Sequence, residues 1–306
     1  MTDVAVLLLA FNRPQRLAQL IDNLRKVQPR AVYVAVDGPR SAVAGEREAV
    51  SATRDEVGRI DWTCDVHTLY RESNLGCGRA VSGAIDWLFS REERGIILED
   101  DVLPDPSFFP FCLELLDRYE NDARVWSISG CNFAPPDHIS TDASYRFATV
   151  PNIWGWATWR RSWSRYEYDA RRWRRRLDTS TLWRASGRDV LGFAYWTAMF
   201  DQVARGAIDT WACQTVLTAF AAGGLTATSN TNLIENVGFG AASTHTATKP
   251  TFLLPAGAVD FPLVHPLDVV ADSPSDHWHR RQVLMATPAG LSGHSARFVR
   301  NRLFRS

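Results

Sequence analysis

The sequence of 306 residues lacks the features that mark a membrane-spanning or secreted protein. No apolar run approaches the length needed to cross a bilayer. The amino terminus enters an apolar stretch, Val4–Phe11, with no basic flank and no long apolar core, so we expect no secretory signal peptide. The five cysteines are scattered and form no CxxC pair, which favours reduced thiols and argues against structural zinc. These absences predict a cytoplasmic protein.

The chain also lacks an excess of charge and the common glycine-rich nucleotide loops. Its formal net charge is zero, so no global field favours a nucleic-acid partner. The first apolar stretch is followed by Phe11-Asn12-Arg13-Pro14 where a dinucleotide fold carries GxGxxG, and no GxxxxGK[ST] loop occurs. The glycine-rich first loop of sugar-1-phosphate nucleotidyltransferases is absent as well. A hydrophobic content of 45% is ordinary for a globular protein.

What is present centres on Ile96-Ile97-Leu98, a short apolar run that leads into Glu99-Asp100-Asp101. The run predicts a strand buried in a sheet, with the acids at its carboxyl end, where open α/β sheets bind ligands. Adjacent carboxylates repel, and Mg²⁺ or Mn²⁺ shared with a diphosphate would compensate the charge. The stretch therefore predicts a metal–diphosphate site. The alternative is a solvated acidic turn that caps the next helix.

The first half of the chain alternates strands with helices. This rhythm predicts an α/β protein with a doubly wound, mostly parallel sheet and right-handed crossovers. Asn12 is expected to cap the first helix, and Pro14 to occupy its first turn. The predicted strand ends bring polar side chains to one edge of the sheet, an arrangement that fits a nucleotide-sugar glycosyltransferase. The predicted elements are strands at Val4–Ala10, Ala31–Val36 and Val66–Tyr70, a polar helix at Glu46–Val57, and amphipathic helices through Leu17–Leu24 and Val81–Leu88; the converging side chains are Arg13, Asp37, Asn74 and Asp101.

Four segments resemble GT-A-fold glycosyltransferases, in particular family 2-like bacterial enzymes and inverting N-acetylglucosaminyltransferase I. The resemblance is good over residues 3 to 130 and looser to about residue 247. The segments that carry it are Ala10-Phe11-Asn12-Arg13-Pro14, Asp37-Gly38, Arg71-Glu72-Ser73-Asn74-Leu75-Gly76 and Glu99-Asp100-Asp101-Val102-Leu103-Pro104-Asp105-Pro106-Ser107-Phe108-Phe109.

The resemblance implies a role for each acid of the central motif and for several residues around it. Asp101 would bind Mn²⁺ or Mg²⁺, while Glu99 and Asp100 face the sugar and ribose. Arg13 and Asp37 would meet the uracil end of the donor. The implied donor-binding set also contains Phe11, Asn74 and Arg79.

The second half is unusually rich in tryptophan, with many of the twelve lying between Trp154 and Trp211. Such a concentration suits a sugar-binding lobe or a dense aromatic core. Gly155 lies between Trp154 and Trp156, and the segment resembles the family's Gly-Trp stretch beneath the donor sugar and acceptor. These three residues are the expected acceptor and sugar platform. A buried aromatic turn is the alternative.

Asp209 is the expected general base. It lies between two predicted helices, Phe193–Val203 and Trp211–Phe220, and the family places an acid just before a tryptophan here. An inverting transfer needs one carboxylate to take the proton of the acceptor hydroxyl. The family pattern has two adjacent acids before the tryptophan, whereas this chain has Asp-Thr-Trp. The alternative role for Asp209 is a helix N-cap.

A glycine-containing loop, Asn232–Gly240, leads to His245 and resembles the segment that closes over the donor in GT-A enzymes. His245 would reach the diphosphate or the metal.

Arg160–Arg176 is dense in arginine; a solvated helix face is expected, with an anionic acceptor or membrane surface as the alternative. From Lys249 the chain is expected to wrap the catalytic domain. Its end, Ala296–Phe304, would dock on the protein body or make weak contact with the inner face of a membrane.

Together these features predict one GT-A domain with three parts: a nucleotide-sugar-binding half at 1–130, an acceptor half at 131–247 and a C-terminal extension at 248–306. The predicted activity is metal-dependent, inverting transfer of a sugar from a nucleoside-diphosphate donor, with UDP favoured. The acceptor would be a glycan, a lipid-linked saccharide or a small molecule. A non-catalytic nucleotide-sugar-binding protein and a nucleotide-sugar hydrolase are the alternatives.

Overall fold

The computed structural model describes residues 2–239 and 250–287. Within these ranges, strands and helices alternate through the first half, and a group of helices follows. The strands are β1 Thr2–Ala10, β2 Pro29–Val36, β3 Asp65–Tyr70, β4 Arg94–Glu99, β5 Val102–Pro104, β6 Val125–Ser129, β7 Tyr145–Ala148, β8 Trp156–Trp159, β9 Leu225–Ser229 and β10 Ile234–Asn236. The helices are α1 Pro14–Leu24, α2 Glu46–Asp55, α3 Gly76–Phe89, α4 Phe108–Arg118, α5 Arg160–Trp163, α6 Trp173–Arg176, α7 Thr179–Ala185, α8 Val190–Ala204, α9 Ala212–Ala222 and α10 Ser273–Gln282.

Eight of the strands form one mixed sheet in the order β3-β2-β1-β4-β8-β6-β9-β7. The first four are parallel, as are β6 and β9, while β8 runs antiparallel between β4 and β6. This arrangement confirms the predicted α/β class with a mostly parallel, doubly wound sheet. Strands from both sides of residue 130 share this sheet. The predicted division of the domain into a donor half and an acceptor half at residue 130 stays a prediction.

The sheet is buried on both faces, and the alternation of β1 shows how. Val4, Val6 and Leu8 point into a core with helices α1 and α4. Ala5, Leu7 and Leu9 point the other way, against α3. Since successive side chains of a strand face opposite sides, an unbroken apolar run is what a strand covered by helices on both faces requires.

Helix α1 forms where it was predicted but begins differently. Its apolar face is buried and Pro14 lies in its first turn. The prediction that Asn12 caps it was wrong, because the N-cap position is Arg13, with no capping side-chain bond. The Asn12 amide instead donates to Glu46 Oε1 at 3.0 Å. A hydrogen bond to a distant carboxylate thus replaced the local cap.

Most of the tryptophan-rich region is core. A cluster of aromatic and aliphatic side chains joins α6, α7, α8 and α9 into a helical lobe. The predicted alternatives were a sugar-binding lobe and an aromatic core, and the second describes these rings. The buried tryptophans of this region are Trp156, Trp159, Trp163, Trp173, Trp196 and Trp211.

Residues 250–287 contribute to packing against the sheet, whereas the predicted end of the tail, Ala296–Phe304, lies outside the described residues. Val259 and Leu263 are buried in the main core, and α10 packs near β7. A buried polar group holds α10 there: Arg146 of β7 donates to Ser275 at 2.8 Å. In 2–239 and 250–287, no helix combines the length and apolarity needed to cross a membrane.

We expect His279 on α10 to make stability depend on pH. Its ring stacks on Phe133, and burial, with Arg146 and Arg280 adding, lowers its pKa to about 3. Since an unfolded histidine titrates near 6.5, the unfolded state takes up the extra proton below that pH. Folding stability should therefore fall as pH drops from 7 towards 4, by up to about 1.4 kcal/mol per pH unit.

Urea denaturation of His279→Gln at pH 7 and pH 5 measures this term, with the exposed His277→Gln as control. The stability of His279→Gln should fall less between the two pH values than that of the wild type and of His277→Gln. Equal losses in all three proteins would contradict the assignment.

Candidate active site

A cavity of about 500 Å³ opens at the carboxyl ends of β1, β2 and β4. This is the edge at which the sequence places its polar residues, and most of the predicted donor-binding side chains line it. The acid expected as the general base lines it too. The predicted residues in the wall are Phe11, Arg13, Asp37, Asn74, Glu99, Asp100, Asp101 and Asp209.

An ion pair links the ends of β1 and β4. Arg13 Nη1 lies 3.2 Å from Asp100 Oδ1 and 3.6 Å from Asp101 Oδ2. The backbone N–H of Asp100 also donates to the carbonyl of Leu9 at 2.9 Å. The side chain of Asp100 is almost buried, whereas 28% of the Asp101 side chain is exposed. Asp100 therefore anchors Arg13, and Asp101 presents its carboxylate at the cavity wall.

The cavity carries more acids than bases. Five carboxyl groups line it, against three arginines, Arg13, Arg40 and Arg71. Burial raises the pKa of Glu99 to about 8, and the charges of Asp101 and Asp100 add to the shift. Burial also raises the pKa of Asp100 to about 7, although Arg13 opposes that rise. Such a site favours a cation, because positive charge would relieve both the burial and the repulsion.

The protein alone does not build a complete metal cage. In the described part of the chain no three His, Cys, Asp or Glu side chains are grouped to hold an ion. Mg²⁺ is typically held by one or two carboxylates together with substrate phosphates, so the partly exposed Asp101 fits an ion shared with a diphosphate. The predicted second ligand, His245, lies outside the described residues.

Asp37 braces the end of β2 against the loop after β3. Its carboxylate accepts bonds from the N–H groups of Gly38, at 2.9 Å, and Leu75, at 3.1 Å. It also accepts from Asn74 Nδ2 at 2.9 Å. Burial raises the pKa of Asp37, and these backbone bonds oppose the rise. Asp37 and Asn74 thus shape the cavity wall by holding each other as well as by lining it.

Two residues that shape the cavity were not predicted from the sequence: Arg40, which lines it, and Glu46, which holds Arg40. The guanidinium of Arg40 lies over the Phe11 ring, 5.5 Å from its centroid. Glu46, buried at the start of α2, holds Arg40 with bonds that include one of 3.0 Å from Nε, and it also accepts from Asn12. Arg40 lies outside the predicted elements and Glu46 was predicted only as the start of a polar helix, so the tertiary contacts with Phe11 and Asn12 alone reveal their role.

Asp209 precedes α9 in the chain, and its side chain contacts the first turn of α3 at the cavity wall. Its Oδ1 accepts from the Gly78 N–H at 3.1 Å and from the Tyr168 hydroxyl at 3.3 Å. The alternative role, a cap of its own helix α9, does not hold, because Thr210 Oγ1 accepts the Ala212 N–H at 3.1 Å. Asp209 is therefore held by the backbone of α3 and by the side chain of Tyr168.

Arg79 and the tryptophan segment lie elsewhere. The Arg79 guanidinium stacks over the Tyr168 ring, 5.0 Å from its centroid, and Arg79 does not line the cavity. Trp156 is 1% exposed, and its ring stacks on Trp211 in the core between the sheet and α3. It therefore offers no face to a ligand. This ring fits the alternative of a buried aromatic segment.

Trp154 lines a second cavity of about 260 Å³ beside β10. Gly155 has φ +65°, and a Cβ there would approach Ile234 Cγ1 to 2.8 Å, so the backbone needs glycine. Strand β10 pairs with β5, and the N–H of Val237 just beyond it donates to the Asp101 carbonyl at 2.8 Å. The second cavity therefore flanks the chain segment that carries Asp101. Neither β5 nor β10 was predicted.

The arginine-rich stretch is largely tied into the protein. Arg161 donates to the carbonyls of Tyr119 at 2.8 Å and Val125 at 3.1 Å, and lies over the Trp159 ring. Arg174 pairs with Asp201 at 2.8 Å. The expected solvated helix face was wrong, because the stretch holds only the short helices α5 and α6 and these arginines bond to other parts of the protein.

The chain matches no protein-family model and no curated protein. Solved structures with a similar fold include a mannosyltransferase from Pyrobaculum calidifontis in complex with GDP-Man and Mn²⁺, at 15% identity and a TM-score of 0.40, over 72% of this chain and 76% of that one. HddC from Yersinia pseudotuberculosis is similar at 10% identity and 0.32, over 53% and 78%. UDP-glucose pyrophosphorylase complexed with UDP-glucose is similar at 11% and 0.36, over 74% and 90%.

These likenesses are too distant to carry a functional argument. They also give no support to the particular relation with N-acetylglucosaminyltransferase I.

Gly38 should be essential to the shape of the cavity. A Cβ at this position would lie 2.5 Å from the Ser73 backbone nitrogen, and a backbone atom cannot move aside alone. We expect Gly38→Ala to lower the free energy of unfolding by about 1–3 kcal/mol, as overpacking does. Gly58→Ala is the matched control, because nothing lies within 4 Å of its Cβ position. Urea denaturation that finds both variants equally stable would contradict this close approach.

Proposed function

We propose that this protein is a metal-dependent, inverting glycosyltransferase that uses a nucleoside-diphosphate sugar, with UDP-sugars favoured. The observation that carries the proposal is the single cavity around which three strand ends place the Arg13–Asp100 pair, Asp101 and Asp37. Asp209 faces this group from the acceptor half. An acid-rich cavity with arginines suits a ligand that brings both a diphosphate and a divalent cation.

The donor would occupy the 500 Å³ cavity. Phe11 and Arg40 offer a flat, stacked surface beside the braced Asp37–Asn74 pair, which suits a nucleoside. Glu99 and Asp100 would lie towards the sugar and ribose. Asp101 would hold Mn²⁺ or Mg²⁺ together with the diphosphate. When bound, such an ion neutralises the charge that develops on the leaving diphosphate.

The acceptor would approach from the side of Asp209 and Trp154. Asp209 takes the proton of the acceptor hydroxyl. At the same time the acceptor oxygen attacks the anomeric carbon from the face opposite the diphosphate. The bond from the anomeric carbon to the diphosphate oxygen breaks, and the electron pair leaves with the diphosphate. This in-line displacement inverts the anomeric centre. Trp154, with Gly155 beneath it, would present a ring face to a sugar in the second cavity.

A non-catalytic binding protein would need no carboxylate where Asp209 lies, so the placement of Asp209 at the cavity favours an enzyme. A hydrolase would release the sugar to water whatever acceptor is present. Product analysis with and without saccharide acceptors separates these two functions.

The first test is a thermal-shift screen of UDP-, GDP-, CDP- and dTDP-sugars with and without Mn²⁺. A donor at one hundred times its dissociation constant should add about 2.7 kcal/mol of stability, and only when Mn²⁺ is present. Asp101→Ala should lose this stabilisation. Asp142→Ala, an exposed acid remote from the cavity wall, should keep it. Stabilisation of Asp101→Ala equal to that of the wild type would refute the metal site.

The same screen separates binding from chemistry at Asp209. Asp209→Asn should keep the donor-induced stabilisation. Its rate of nucleoside-diphosphate release should fall by about 10²-fold or more. A variant that turns over at the wild-type rate would show that Asp209 is not the base.

A further inference from the structure

Asp209 is held by a residue that none of the sequence motifs identifies. Tyr168 lies in the segment between α5 and α6, and its hydroxyl donates to Asp209 Oδ1 at 3.3 Å. The N–H of Gly78, in the first turn of α3, donates to the same oxygen at 3.1 Å. We propose that Tyr168 is a positioning residue that orients Asp209 for proton transfer, an inference that rests on the proposed function.

Several contacts fix Tyr168 in place. Gln214 Nε2 of α9 donates to the Tyr168 carbonyl at 3.3 Å. The Arg79 guanidinium stacks over the Tyr168 ring at 5.0 Å from its centroid. A Cβ on Gly78 would lie 2.9 Å from Tyr168 Cε2, so the ring packs directly on the backbone of α3. The backbone of Tyr168 is thus anchored to α9 and its ring lies between Arg79 and the backbone of α3, so its hydroxyl has a defined position.

The bond pattern distinguishes the two oxygens of Asp209. Both donors meet Oδ1, whereas Oδ2 accepts no hydrogen bond within residues 2–239 and 250–287. Oδ2 lies over Gly76, 2.6 Å from where a Cβ would stand, and Gly76 lines the donor cavity. One oxygen is thus occupied in orienting the carboxylate, and the other is available at the cavity to take a proton.

Tyr168 can donate to Asp209 only while its phenol keeps its proton. A hydrogen bond from a phenol to a carboxylate stabilises the charged form of the carboxylate. Burial raises the pKa of Tyr168, and the Asp209 charge adds to the rise, so the phenol keeps its proton and remains a donor. The titratable and charged groups around Asp209 are Cys77 and Arg79 of α3, Tyr168, the cavity acids Asp37, Glu99, Asp100 and Asp101, and the cavity arginines Arg13, Arg40 and Arg71.

In the reaction, the acceptor hydroxyl proton moves to Asp209 Oδ2 while the acceptor oxygen bonds to the anomeric carbon. The diphosphate leaves with the electrons of the broken bond. Tyr168 transfers no proton and keeps its bond to Oδ1 throughout. Its contribution is the orientation of the carboxylate and the stabilisation of its charged form before the transfer.

Tyr168→Phe tests the proposal, with Tyr166→Phe as the matched control. Tyr166 lies two residues away, and its hydroxyl donates to the Trp211 carbonyl at 3.4 Å rather than to Asp209. With the nucleotide sugar that stabilises the wild type, and water or a saccharide as acceptor, Tyr168→Phe should lower kcat about fivefold. The KM for the donor should stay unchanged. The acidic limb of the kcat–pH profile should move to higher pH, because the anion has lost a donor.

A measurement without turnover decides the contact independently. The Asp209 carboxyl, assigned by its absence from Asp209→Asn, is titrated by ¹³C NMR. Its pKa should rise in Tyr168→Phe and stay at the wild-type value in Tyr166→Phe. An identical titration in Tyr168→Phe and wild type overturns the role of Tyr168. A wild-type protein that releases no diphosphate from any donor refutes the proposed function instead.

Discussion

The pairing of Arg13 with the acids that follow β4 is the interaction on which the site depends. Arg13 leaves β1 at the start of α1, and Asp100 and Asp101 leave the neighbouring strand, so the pair joins two strand ends across the sheet edge. Without Arg13, the nearly buried Asp100 would carry an uncompensated charge beside two further acids. Removing one partner of a buried pair is strongly destabilising for that reason. The pair therefore fixes both the position and the charge of the site.

The other walls are held by the same principle of one carboxylate bridging two elements. Asp37 ties the end of β2 to the loop before α3, through Leu75 and Asn74. Asp209 ties the start of α9 to the start of α3, through Gly78. Helix α3 thus receives an acid from each half of the protein at its amino-terminal end. A shift of α3 would move both the donor wall and the expected base.

Much of the fold was predictable because its signals are local. The strands at Val4–Ala10 and Ala31–Val36 are continuous apolar runs in the sequence, and the sheet edge at which they end follows from parallel topology. Trp156, the first residue of β8, was expected to belong to the sugar platform, with a buried aromatic turn as the alternative, and only the sheet shows that β8 lies between β4 and β6. Arg40, Glu46 and Tyr168 could not be found from sequence, since their roles arise from contacts between distant segments.

Anomalous diffraction tests the central claim most directly. Crystals would be grown with Mn²⁺ and the nucleoside diphosphate that stabilises the protein, and data collected at the manganese edge. The account predicts an anomalous peak beside the Asp101 carboxylate, bridged to the diphosphate, with the nucleoside near Phe11 and Asp37. Manganese and nucleotide bound away from the β1, β2 and β4 ends, or a diphosphate with no metal at Asp101, would contradict it.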